Sequence, residues 1–281
     1  MAARAFRILN VFARAGRLTG NPLCVFEDGA GLDEATMQAL ARQFNLSEST
    51  FILPSEKATA RVRIFTPAYE MPFAGHPTLG TAHVVRALKS CGDAVALEMQ
   101  AGIIPVNAKG DRWTLKANAP RARAFELMRT DLEDILGLQA GDVAEWPLWV
   151  SVGREQLIVP LASREAVGRA RPKPDAFSRL KSEHGLGQAY VFHDAGDAAG
   201  TVEARFFLPS GPAILEDPAT GSACANLGGW FTVVRPGVDV SRTISQGEAV
   251  NRPSTLYLSV TSGQIFVGGD VIELGRGTVD L

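Results

Sequence analysis

Two segments of the chain, about half its length apart, carry nearly the same text. RIFTPAYEMPFAGHPTLGTA runs from Arg63 to Ala82, and RFFLPSGPAILEDPATGSA runs from Arg205 to Ala223. Arg63, Phe65 and Pro67 match Arg205, Phe207 and Pro209. After a one-residue gap, Pro77, Gly80 and Ala82 match Pro218, Gly221 and Ala223, and His76 stands opposite Asp217. Copies that keep glycines and differ in a titratable group predict two related halves, each contributing a half-site to one ligand. A chain of 281 residues is long enough for two ordinary domains.

Hydrophobic residues make up 46% and charged residues 21%, the proportions of a soluble globular protein. A net charge of −2 and an isoelectric point near 6.1 give no electrostatic reason to expect nucleic acid or an anionic membrane surface. No apolar run approaches the length of a bilayer span. The N-terminal stretch lacks the apolar region and cleavage site of a signal peptide. Cys24, Cys91 and Cys224 are odd in number and unclustered, which predicts reduced, buried thiols in a cytoplasmic protein and neither a disulfide frame nor a zinc site.

Periodicity predicts a helix over 33–44, with Met37, Leu40, Ala41 and Phe44 on one face. Helices over 77–89 and 218–234 are apolar on most of their circumference, as helices wrapped by other elements are. Strands are expected at 5–12, 22–26, 49–53, 60–65, 95–99, 103–107 and 112–117, and again at 148–151, 156–160, 188–193 and 201–207. Further helices fit a Thr130–Glu133 capping box and residues 175–184. The chain closes on strands at 255–261, 264–267, 270–274 and 277–281, with a Gly-Gly-Asp turn at 268–270. The expected fold is α+β: two mostly antiparallel, barrel-like sheets, each curled around a central helix, with a seam near 118–128. The domains are residues 1–120, completed by 275–281, and residues 121–274.

Both repeated segments run from a strand through a Pro/Gly loop into a central helix. That geometry offers unpaired N–H groups and the positive end of a helix dipole to a carboxylate or phosphate. Gly75 and Gly221 would let a ligand approach the backbone. Asp217 before Pro218 also reads as an ordinary N-cap, a structural role that His76 fills poorly. Glu48, in NLSEST, is a solvated loop carboxylate unless the fold brings it to the helix ends. In a closed apolar cleft it would serve as acid and base near neutral pH. The four histidines are scattered without ligand spacing, no nucleotide-binding fingerprint occurs, and Cys224 falls inside an apolar helix.

NLSEST, RIFTPAYEMPFAGHPTLGTA and EDPATGSA, with GNPLCVF near the start and GRGTVDL at the end, resemble the signature blocks of the phenazine-biosynthesis PhzF-like isomerases. The resemblance spans essentially the whole chain. It implies the diaminopimelate-epimerase-like fold, an active site between the two halves, a homodimer and no cofactor. It further implies that Glu48 shuttles a proton between carbons of a small carboxylate-bearing cyclic substrate, as in trans-2,3-dihydro-3-hydroxyanthranilate isomerisation. His76 and Asp217 would then orient and assist, and Gly75, Gly221 and Ser222 would hold the carboxylate. Related racemases use two opposed cysteines; the corresponding slots here are Ala74 and roughly Pro218, which disfavours two-thiol chemistry. An epimerase of a small amino or hydroxy acid, and a non-catalytic anion-binding protein, are the alternative readings.

Overall fold

The structure, a computed structural model, describes residues 3–144 and 146–281. Its contacts divide the chain into two compact units. The first comprises the chain up to Lys116 together with Gly268–Leu281, and the second is Ala117–Val267.

In the first unit the elements are β1 (Ala3–Val11), β2 (Asn21–Phe26), α1 (Glu34–Phe44), β3 (Ser49–Leu53), β4 (Ala60–Phe65), β5 (Glu70–Met71), α2 (Gly75–Lys89), β6 (Ala94–Met99), β7 (Gly102–Lys109) and β8 (Arg112–Lys116). The last strand of the chain, β19 (Gln264–Asp280), enters this unit at Gly268. Pairing runs β1–β2–β3–β4–β6–β7–β8–β19 and returns from β19 to β1, which closes a barrel of eight strands. Closure leaves no open sheet edge.

Helix α2 contacts β1, β2, β3, β4, β6, β7 and β8, so it lies inside the ring. This is why it is apolar nearly all round. Its small residues are a packing requirement: a Cβ on Gly80 would fall 2.5 Å from Leu23 Cδ2 and 2.9 Å from Val11 Cγ2. The outside of the sheet is covered by α1, where Phe26 stacks on Phe51 at 4.6 Å beside Met37, Leu40 and Phe65. Strand β2 therefore buries both faces. Leu23 points at the inner helix and Cys24 and Phe26 at the outer one, which abolishes the period-2 alternation of a half-exposed strand.

The second unit contains β9 (Arg121–Ala124), α3 (Arg129–Leu136), β10 (Leu148–Ser151), β11 (Glu155–Pro160), α4 (Arg164–Arg169), α5 (Pro174–Phe177), β12 (Lys181–Ser182), β13 (Gly185–Leu186), β14 (Ala189–Asp194), β15 (Thr201–Ser210), β16 (Ala213–Asp217), α6 (Gly221–Val234), β17 (Val240–Gln246), β18 (Ser254–Thr261) and the opening of β19. The pairing order β9–β10–β11–β14–β15–β17–β18 follows the same succession of antiparallel and parallel ladders as the first unit does from β19 to β7. Helix α6 contacts β9, β10, β11 and β18 from within, while α3, α4 and α5 cover the outside through Leu132, Ile135, Val167 and Phe177.

Several local expectations give way. Helix 175–184 ends at Phe177, because Lys181–His184 offers no apolar residue to extend a buried face, and the chain forms the β12–β13 hairpin instead. The N-cap of α3 is Met128, whose N–H donates to the Asp131 carboxylate, rather than Thr130. The stretch expected as a seam near 118–128 contains a strand: Arg121–Ala124 is β9, and Arg123 holds Glu155 through two hydrogen bonds of 2.8 and 2.9 Å. Gly268–Asp270 is not a turn but the middle of β19. Gly269 passes so close to Phe12 that a Cβ would lie 2.2 Å from its ring. The contact boundaries fall at 116/117 and, inside this strand, at 267/268, against the 120/121 and 274/275 read from sequence.

Candidate active site

In the first unit, Glu48 sits in the short loop between α1 and β3, and His76 is the second residue of α2. The fold brings them together: His76 Nε2 lies 3.5 Å from Glu48 Oε2, with the imidazole buried and the carboxyl 15% exposed. Burial lowers the His76 pKa to about 3, against a smaller upward pull from a hydrogen bond to the Pro22 carbonyl. The imidazole is therefore neutral near pH 7. Nε2 is the ring nitrogen that faces the Glu48 carboxyl. Next to Glu48, β3 is tied to the helix by the buried Thr50–Thr81 hydroxyl pair at 2.8 Å.

Helix α2 starts at Gly75 with Ala74 as N-cap and no side-chain cap. Its first turn leaves backbone donors and the positive dipole end for an anion.

In the second unit, Asp217 is the last residue of β16 and does not cap the helix: α6 starts at Gly221, with Thr220 at the N-cap. Thr220 does not cap it either. Its hydroxyl turns back and donates to Asp217 Oδ2. The amide of Gln246, 1% exposed, donates from Nε2 to the Asp217 carbonyl at 2.9 Å and to Thr220 Oγ1 at 3.1 Å. Ser222 lies one residue past Gly221, and its Oγ accepts from Gln156 Nε2 at 3.1 Å. Asn226, one turn further along α6, donates to Gln156 Oε1 at 2.8 Å and to the Arg154 carbonyl at 2.9 Å. The uncapped start of α6 is thus framed by a satisfied polar network.

The ladders also correct the alignment of the repeat. Phe65 pairs with Glu70 across β4–β5, and Phe207 pairs with Glu216 across β15–β16. Arg63 grips Glu70 through Nε and Nη2 at 2.7 and 2.6 Å, and Arg205 grips Glu216 the same way at 3.0 and 2.6 Å. Each guanidinium also lies over the phenylalanine two residues on, Phe65 or Phe207. With Glu70 matched to Glu216, Met71 corresponds to Asp217, Ala74 to Thr220, Gly75 to Gly221 and His76 to Ser222. The sequence alignment that set His76 against Asp217 is wrong. Arginine and glutamate are seven residues apart in the first copy and eleven in the second, so the hairpin is longer there. The slot opposite Ala74 is accordingly Thr220, again without a thiol.

Sequence reasoning missed Gln246, Thr220, Gln156 and Pro22. The one available signal for Gln246 is the glycine after it, Gly247, whose φ of 86° turns the chain back toward Pro218. His83 is structural: its Nδ1 accepts from Trp113 Nε1 at 3.3 Å. Cys24 and Cys224 are buried, and burial raises both thiol pKa values.

Comparison with known proteins bears on this arrangement. A family model described as phenazine biosynthesis-like protein, PhzC-PhzF, matches residues 9–270. An isomerase of Pasteurella multocida that carries no substrate in its name is 36% identical over 97% of this chain and 93% of its own. Trans-2,3-dihydro-3-hydroxyanthranilate isomerase of Pseudomonas fluorescens is 32% identical over 98% of both chains. A Bacillus anthracis phenazine biosynthesis protein of the PhzF family shares the fold over the full length of both chains, with a TM-score of 0.86 at 24% identity. The α+β, diaminopimelate-epimerase-like architecture expected from the resemblance is the one present. The chain belongs to the PhzC-PhzF family of phenazine biosynthesis-like proteins.

Proposed function

We propose that this isomerase moves a proton within a small, cyclic or unsaturated, carboxylate-bearing metabolite, on the pattern of trans-2,3-dihydro-3-hydroxyanthranilate isomerisation. The observation that carries the reading is the Glu48–His76 pair: a carboxyl held 3.5 Å from Nε2 of a buried, neutral imidazole. Glu48 takes the proton from one substrate carbon as that C–H bond breaks, and the double bond migrates. It then returns the same proton to another carbon, so nothing is oxidised and no cofactor enters. The His76 imidazole orients the transferred proton on Glu48 between the two steps. The substrate carboxylate is assigned to the uncapped helix starts at Gly75 and at Gly221–Ser222, where backbone N–H groups also stabilise charge that develops in the transition state. Asp217 anchors a polar substituent and fixes orientation. A homodimer and a cytoplasmic location complete the proposal.

The test is deuterium incorporation from D₂O into trans-2,3-dihydro-3-hydroxyanthranilate and related dihydro acids. Wild type should label and isomerise at least one of them, and Glu48→Gln should do neither. Equal labelling by both proteins would remove Glu48 from the mechanism.

A further inference from the structure

The hydrogen bonds around Asp217 have a fixed direction. The orientation of the Gln246 amide is settled by its partners: Nε2 meets two oxygens, the Asp217 carbonyl at 2.9 Å and Thr220 Oγ1 at 3.1 Å, while Oε1 faces the Thr220 N–H at 3.4 Å. Flipping the amide would set oxygen against oxygen and N–H against N–H. Because Thr220 Oγ1 receives a proton from Gln246, its single hydroxyl proton is the one it donates, and the recipient is Asp217 Oδ2. A threonine hydroxyl that ordinarily caps its own helix is here spent on a carboxylate three residues back.

We propose that Gln246 and Thr220 are positioning residues that lock Oδ2 of Asp217 as an acceptor, so that Asp217 is held as a carboxylate in a fixed orientation for binding substrate. The surroundings agree with this. Tyr190, Phe206 and Asp217 lie opposite one another across β14, β15 and β16, so the three side chains share one face of the sheet. The Tyr190 hydroxyl is buried, and its pKa is raised by burial and by the neighbouring Cys224 and Asp217. Cys224, from α6, is likewise raised by burial. Neither group changes charge where a carboxyl titrates. Glu248 and Arg252 lie on the turn that follows Gln246, which packs on Pro218, and Glu216 is held by Arg205. A hydrogen bond donated to the charged form of a carboxyl favours that form.

The hydrogen-bond chain stands on geometry alone, whereas its part in turnover rests on the isomerase reading, and the two are measured separately. In protein labelled with ¹³C at aspartate Cγ, the Asp217 signal, identified by its loss in Asp217→Asn, is titrated in wild type, Thr220→Val, Thr220→Ser and Gln246→Leu. The isosteric Thr220→Val should weaken the acid about tenfold, moving its midpoint up by about one pH unit. Thr220→Ser should restore the wild-type midpoint, and Gln246→Leu should fall between. Identical midpoints in wild type, Thr220→Val and Gln246→Leu overturn the proposal. In turnover of trans-2,3-dihydro-3-hydroxyanthranilate, Thr220→Val should lose at least tenfold in kcat with KM within about twofold, and Thr220→Ser should recover it. A shifted titration with unchanged kcat upholds the chain and overturns the role given to Asp217 in the reaction.

Discussion

Arg205 and Glu216 form a two-pronged ion pair in which both side chains are 9% exposed, and the same guanidinium donates to the Ala170 carbonyl at 2.7 Å. The equivalent pair in the first unit, Arg63 and Glu70, is 18% and 13% exposed and shares its arginine with the exposed Glu34. Each pair clamps the hairpin from which the chain enters its inner helix, at Gly221 or at Gly75.

Breaking these clamps should cost unequal amounts. Glu216→Gln leaves a buried guanidinium short of its counter-charge, a loss of about 3–5 kcal/mol. Glu70→Gln, where water and Glu34 remain, should cost about 1 kcal/mol. Urea midpoints of the two variants measure the difference, and equal midpoints would contradict the assignment of burial as its cause.

His76 ties stability to pH. Its folded pKa of about 3 lies below the ordinary value of 6.5, so between those limits the unfolded chain binds the proton and the folded chain does not. The contribution of this group to stability is complete above about pH 6.5. It falls by about 1.4 kcal/mol for each pH unit below that, until the folded imidazole protonates. His76→Asn should flatten the slope of unfolding free energy between pH 4 and 6. Imidazole ¹⁵N shifts in the native protein should show a neutral ring throughout that range.

The helix inside the first barrel has no room to grow. Gly80→Ala places a methyl within 2.5 Å of Leu23 and should destabilise by about 1–3 kcal/mol through overpacking. Gly92→Ala, with nothing within 4 Å, is the control and should stay within about 0.5 kcal/mol of wild type. Thermal melts of the two variants separate the effects.

Thiol chemistry should be absent from the reaction. Cys24 and Cys224 are buried with raised pKa values, while Cys91 is half-buried. Native protein should therefore react with one equivalent of a thiol reagent, at Cys91, without loss of activity. Modification of two or more thiols before unfolding would refute this reading of the core.

These features were unevenly legible. Met37, Leu40, Ala41 and Phe44 announced α1 by period, and the apolar circumference of α2 and α6 announced that each lay inside something. Glu48 and His76 were legible only as members of motifs, since no spacing predicts a contact across 28 residues between a loop and a helix start. The register of the repeat misled because proline and glycine recur often enough to match in more than one frame. The true frame is set by Arg63–Glu70 and Arg205–Glu216, a side-chain relationship invisible without the hairpins. Gln246 had no local signature beyond the glycine after it: its partners lie 26 and 29 residues away, and a lone glutamine in a strand reads as surface.

The path of β19 has a consequence for how the molecule is made. Ala3 pairs with Asp280 and Val11 with Val271, so the ring that encloses α2 is closed only by a strand that follows the whole second unit in sequence. Until then β1 and β8 expose unpaired backbone, and the second unit is synthesised while the first still waits for its final stave. A fragment ending at Lys116 should therefore emerge as an open, self-associating sheet. A circular permutant that joins the segment from Gly268 directly ahead of Ala3 should shorten that wait and refold faster than the natural order of the chain.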